Sequence, residues 1–98
     1  MNQDYRNMFI MLDYCYGIFH EDDVGGMLGA LSLFSDGTPV DLAMYDDWYQ
    51  ISLSSKSFRE KILSFLEMYE TNYGMDFEKT KAFLLKMTNQ EIENIIKL

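Results

Sequence analysis

Basic side chains are nearly missing from the first half of this chain. Residues 1–55 contain one, Arg6, beside nine carboxylates: Asp4, Asp13, Glu21, Asp22, Asp23, Asp36, Asp41, Asp46 and Asp47. Residues 56–98 balance seven acids with seven bases, so the whole formal charge of −8 sits in the first half. A surface of that sign repels nucleic-acid phosphate and anionic lipid, so neither is an expected partner, whereas a basic protein is attracted. Acidity also serves solubility, and that plainer reading needs no partner at all.

Cysteine occurs once, at Cys15, so no disulfide can close within the chain, which fits a reducing, cytoplasmic compartment. Histidine also occurs once, at His20. One of each cannot complete a four-ligand zinc site without distant carboxylates. Neither Glu21-Asp22-Asp23 nor Asp46-Asp47 has the spaced oxygen ligands and central glycine of a calcium loop. No metal and no cofactor is expected. Cys15 and His20 diverge by about 140° on a helix, which argues against a thiolate–imidazole pair. Long apolar runs are absent as well. Val24–Phe34 carries three glycines and falls short of the ~20 residues of a membrane span. The opening MNQDYRN has no basic start before an apolar run, so no secretion signal is expected.

A glycine-rich phosphate loop is excluded at Gly25, Gly26 and Gly29: no strand pattern precedes them, and no Lys or Ser/Thr follows at the required offset. The carboxylates fall at helix starts and on polar faces, where nothing raises a pKa for acid–base work. No catalytic residue and no enzymatic activity are expected.

What is present is apolar and helical. At 98 residues, 48% of them apolar, the chain can bury one core, and a single helical domain over 1–98 is expected rather than disorder. Tyr5, Met8, Phe9, Leu12, Cys15, Tyr16 and Phe19 recur at three- and four-residue steps, a helical stripe of about four turns. A second helix near Val24–Phe34 is expected with Asp22 as its cap, Asp23 at its positive end, and Gly25 and Gly29 admitting another backbone. Thr38-Pro39 reads as N-cap and first residue of a third helix reaching Leu53, with Asp41 closing a capping box. There Leu42, Tyr45 and Tyr49 share a stripe, Met44, Trp48 and Ile51 fall beside it with Trp48 in the core, and Asp46 and Asp47 point to solvent. Ser57 to Glu60 is a capping box for a fourth helix bearing Phe58, Ile62, Phe65, Leu66, Tyr69 and Tyr73, ended by Gly74. Asp76 starts a fifth with Phe77, Thr80, Phe83, Leu84 and Met87 inward, and Thr88 to Glu91 caps a sixth seated on Ile92, Ile95 and Ile96. The fold class is therefore all-α, a compact bundle of about five or six short helices with no substantial sheet.

Two clusters are candidate partner-binding residues: Glu21, Asp22 and Asp23, and Tyr45, Asp46, Asp47 and Tyr49. Carboxylates steer a basic partner and tyrosines anchor it. Asp46 and Asp47 read equally as a solvated face.

The stretch LGALSLFSDGTPVDLAMYDDWYQ, about a quarter of the chain, resembles small acidic immunity proteins of contact-dependent growth inhibition and polymorphic toxin systems. The shared features are Leu28-Gly29, Asp36-Gly37, Pro39, Asp41 and Asp47-Trp48. The resemblance implies a non-enzymatic, cytoplasmic protein, monomer or weak dimer, that binds a cognate toxin domain. Such toxins are often nucleases with basic surfaces. Recognition would then fall at Glu21–Asp23 or along Glu67 and Glu70 if the shared stretch is structural. The alternative is a helical adaptor or regulatory module that binds through an apolar, methionine-rich groove. Salt separates the two: it weakens the first strongly and the second little.

Overall fold

In the computed structural model, which describes residues 3–98, this periodicity becomes six helices: α1 (Gln3–Phe19), α2 (Asp22–Leu31), α3 (Leu42–Ser52), α4 (Phe58–Tyr73), α5 (Glu78–Lys86) and α6 (Asn89–Ile96). The fold is all-α as expected. Among the described residues β pairing is limited to one isolated bridge, Leu33 with Pro39. Helix α1 is the central element and packs on α2, α3, α5 and α6, while α4 joins α3 to α5. The buried side chains form one cluster drawn from all six helices.

The α1 stripe forms as expected at Tyr5, Met8, Leu12 and Cys15, with Met11 buried beside them. The Tyr5 phenol donates to the Leu31 carbonyl and ties α1 to the end of α2. His20 ends α1 in the left-handed region, φ 51, and its N–H donates to the Tyr16 carbonyl at 2.9 Å. Helix α2 then starts at Asp22, not after it. Its N-cap is Glu21, which makes no side-chain capping bond of its own, because its carboxylate is engaged elsewhere.

The glycines of α2 divide in a way the sequence does not reveal. A Cβ on Gly25 would lie 2.8 Å from Cε1 of Tyr16, so the close approach there is of an aromatic ring rather than a backbone. Gly26 and Gly29 face open space. Gly26→Ala and Gly29→Ala are each expected to raise stability by about 0.5–1 kcal/mol, read by urea unfolding. Gly25→Ala is expected to gain nothing, since the Tyr16 ring must move.

The third helix begins later than Thr38-Pro39 implies. Asp41 is the N-cap, and its carboxylate accepts from Met44 N–H at 3.0 Å. Residues 32–40 instead form a narrow ribbon, with Phe34 N–H donating to Thr38 at 2.8 Å and Val40 N–H to Ser32 at 2.9 Å. Asp36 holds the tip by accepting from Thr38 N–H at 3.0 Å and from the Thr38 hydroxyl. Gly37 supplies the turn at φ 87. Helix α2 accordingly stops at Leu31, and Phe34 is exposed.

The later helices follow their local signals closely. Ser57 accepts from Glu60 N–H, although its hydroxyl, not its N–H, meets the Glu60 carboxylate. Gly74 closes α4 in a left-handed cap at φ 67. The Thr88–Glu91 capping box is complete in both directions. Tyr73 departs from expectation: it lies on the apolar stripe of α4 yet is exposed, stacked on Tyr69 at 5.1 Å.

Candidate protein-interaction surface

The two candidate clusters have different fates in the fold. Helix α5 starts without a cap of its own, since Phe77 at its N-cap has no side-chain oxygen. Its first N–H groups are satisfied by carboxylates instead. Asp23 accepts from Asp76 N–H at 2.7 Å, Glu70 from Phe77 N–H at 3.2 Å, and Asp76 from Glu78 N–H at 3.0 Å. Glu21 accepts from Lys79 N–H at 3.1 Å, Thr80 N–H at 2.9 Å and the Thr80 hydroxyl at 2.5 Å. A helix N-terminus presents unpaired donors and partial positive charge, and these acids answer both. Glu21 and Asp23 thus clamp α5 to the α1–α2 junction. Asp22, between them, stays exposed and accepts no hydrogen bond.

On α3 the buried stripe is Met44 and Trp48, with Tyr45 half-buried against Tyr5 at 4.9 Å. Leu42 and Tyr49, read as one stripe with Tyr45, are exposed. Asp47 does not point freely to solvent. Its carboxylate is half-buried and accepts from the Tyr69 hydroxyl at 2.5 Å. Asp46 is exposed and unengaged. The structure therefore separates Asp47, turned to α4, from Tyr45, turned to α1. It brings Asp46 and Tyr49 together with Leu42 on the outer face of α3, at successive helical steps. Leu42 was missed because seven apolar residues among the eleven of α3 allow more than one stripe.

Glu70 is also committed, pairing with Lys81 Nζ at 2.6 Å and raising the ammonium above its ordinary range. The other ion pair among the described residues joins Lys61 to Asp4 at 3.6 Å. Asp36 is held below the usual carboxylate range by the Thr38 hydroxyl and N–H. No group of three or more His, Cys, Asp or Glu side chains suited to a metal ion occurs among the described residues. No helix among them is long and apolar enough to cross a membrane.

Three protonated groups are buried in a way that ties stability to pH. Burial, then the Glu21 charge, pushes the Cys15 thiol from 9.0 up to about 12, so it is no nucleophile at neutral pH. Burial, then Tyr45, pushes the Tyr5 phenol from 10.0 up to about 12. Burial, then the bond to Asp47, raises Tyr69 as well. Each group loses its proton more easily in the unfolded chain than in the fold. Their contribution is therefore complete below pH 9 and is lost as pH climbs toward 12. Each tenfold gain in proton affinity on folding corresponds to about 1.4 kcal/mol. Urea titrations are expected to show stability falling from about pH 9 upward, and Cys15→Ala should delay that fall toward the range of the tyrosines.

No family model matches this chain, and neither a curated protein nor a solved structure matches it.

Proposed function

We propose that this protein is a cytoplasmic immunity protein that binds and neutralises a cognate contact-dependent growth inhibition toxin domain, a basic nuclease, by covering its cationic surface. It acts by occlusion and not by catalysis.

The observation that carries this reading is the charge the fold leaves uncompensated. The net formal charge is −8, and the described residues form two ion pairs. Asp13, Asp22 and Asp46 are exposed and accept no hydrogen bond. Unpaired carboxylates on a chain of net negative charge raise the association rate with a cationic protein and disfavour other partners. The adaptor reading is weakened by the methionines. Met8, Met11, Met27, Met44 and Met87 are buried, so they form the core and not a pliable binding groove.

Co-expression with the C-terminal domain of a toxin encoded beside this protein tests the proposal, and restored growth is the expected outcome. Asp22→Lys with Asp46→Lys is expected to slow capture roughly tenfold or more while leaving helix content unchanged. Asp47 is unsuited to this test, because its loss also strands the Tyr69 hydroxyl. Capture at the normal rate would sink the electrostatic part of the proposal.

A further inference from the structure

We infer that the ribbon between α2 and α3, together with the outer face of α3, is the docking surface for a cationic amphipathic segment of the partner protein. Phe34, Val40 and Leu42 are its apolar anchors, and Asp36 and Asp46 its charge contacts. The inference rests on the proposed function and says where binding occurs.

Exposed apolar surface concentrates here. Of the large hydrophobic side chains left exposed among the described residues, Leu33, Phe34, Val40 and Leu42 fall within ten consecutive positions, with Phe34 at 56% and Leu42 at 68% exposure. Isolated exposed side chains are ordinary, but Phe34, Val40 and Leu42 line one groove, and apolar side chains gathered in this way mark a contact site. Ala30, Thr38 and Pro39 line a shallow groove together with Phe34, Val40 and Leu42. A helix-step beyond Leu42 on α3 come Asp46 and then Tyr49, both exposed.

The backbone beneath the anchors is fixed before any partner arrives. The ribbon bonds at Phe34–Thr38 and Val40–Ser32 are joined by Asp41 N–H donating to the Ala30 carbonyl at 3.1 Å, and by the Asp36 bonds at the tip. A surface ordered in advance loses little entropy on binding.

Charge identifies the occupant. Asp41 lines the groove, Asp36 accepts from Thr38 at the ribbon's tip, Asp46 follows Leu42 by one helical step on α3, and no Lys or Arg occurs from 7 to 55. Arg6 lines a second groove on the far side of Leu33, beside Phe9 and Ile10, which suits a cation less well. A second copy of this chain would bring the same acids against themselves, so self-association is opposed.

The test uses the full chain, isotopically labelled, with two synthetic peptides as probes: an amphipathic helix of lysine and leucine, and a lysine-only peptide. The amphipathic peptide is expected to shift the amide signals of residues 33–42. Phe34→Ser with Leu42→Ser is expected to weaken it roughly tenfold or more, with lysine-only binding and the thermal midpoint unchanged. Shifts confined to Glu21–Asp23 would overturn the docking surface. So would unaltered affinity of the double variant, and salt-sensitive binding of both peptides would then leave the electrostatic reading standing. Binding of neither peptide would remove both. A concentration-dependent dimer abolished by the same substitutions would assign the face to a second copy and end the inference.

Discussion

Trp48→Ala is expected to remove about 3–5 kcal/mol of stability, the usual range for deleting a fully buried aromatic. A domain of this length has about 5–15 kcal/mol in all, so the variant sits near the limit of folding. Trp48 is 1% exposed and meets the Phe65 ring edge to face at 5.4 Å. Phe65, its ring partner, is itself fully buried in the core cluster and is not free to fill the space. Thermal unfolding followed by circular dichroism should show the midpoint falling by about 15 °C or more. Trp48→Phe is the informative companion. The indole Nε1 is buried without a hydrogen-bond partner. Removing it relieves a donor stripped of water, worth about 1–3 kcal/mol, against the smaller volume lost. Trp48→Phe is therefore expected to lose less than half of what Trp48→Ala loses. Equal losses would mean that the indole N–H is satisfied after all.

Glu21→Ala is expected to remove about 2–4 kcal/mol, a large effect for a residue on a polar junction, because one carboxylate there serves three donors. The change strands Thr80 N–H and the Thr80 hydroxyl, with Thr80 fully buried, and leaves the exposed Lys79 N–H to water. Water cannot reach that hydroxyl without opening the contact between α5 and the α1–α2 junction. Amide exchange at residues 79 and 80 should therefore speed up more than exchange in α6, which carries its own capping box. Glu21→Gln keeps an acceptor oxygen and should fall between the two. Asp22→Ala, one position on, should be within about 0.5 kcal/mol of the parent. A neutral Glu21→Ala would contradict the clamp and return Glu21 to the solvated surface.

These two residues also show which parts of the fold can be read in the sequence. The caps at Ser57, Gly74 and Thr88 were legible because both partners lie within four positions of each other, so residue type fixes the geometry. Trp48 was legible as core from its size and its place in a helical pattern. The start of α3 was not. Thr38-Pro39-x-Asp41 satisfies every local rule for a helix start. It loses to a pairing between Ser32 and Val40 and to the Asp36 turn, which take up the same backbone groups. The work of Glu21 was hidden for a stronger reason: its donors lie 58 and 59 positions away. A run of Glu-Asp-Asp looks alike whether it faces solvent or a distant helix end. Asp47, bonded across 22 positions to Tyr69, is the same case.

The surface therefore differs from the one the residue types suggest. Of the expected contact acids, Glu21, Asp23 and Asp47 hold the fold together. Asp22 and Asp46 remain available, and Asp46 lies beside the exposed anchors of the ribbon. Stability and the proposed binding thereby fall to different carboxylates, so substitutions can separate them.

The rate of association with the proposed toxin domain, followed by stopped flow as salt is raised, tests the central claim most directly. Steering by exposed carboxylates calls for a rate that drops steeply over the first increments of salt, with dissociation little changed. A rate indifferent to salt would contradict it, and would leave the acidity of this chain to solubility.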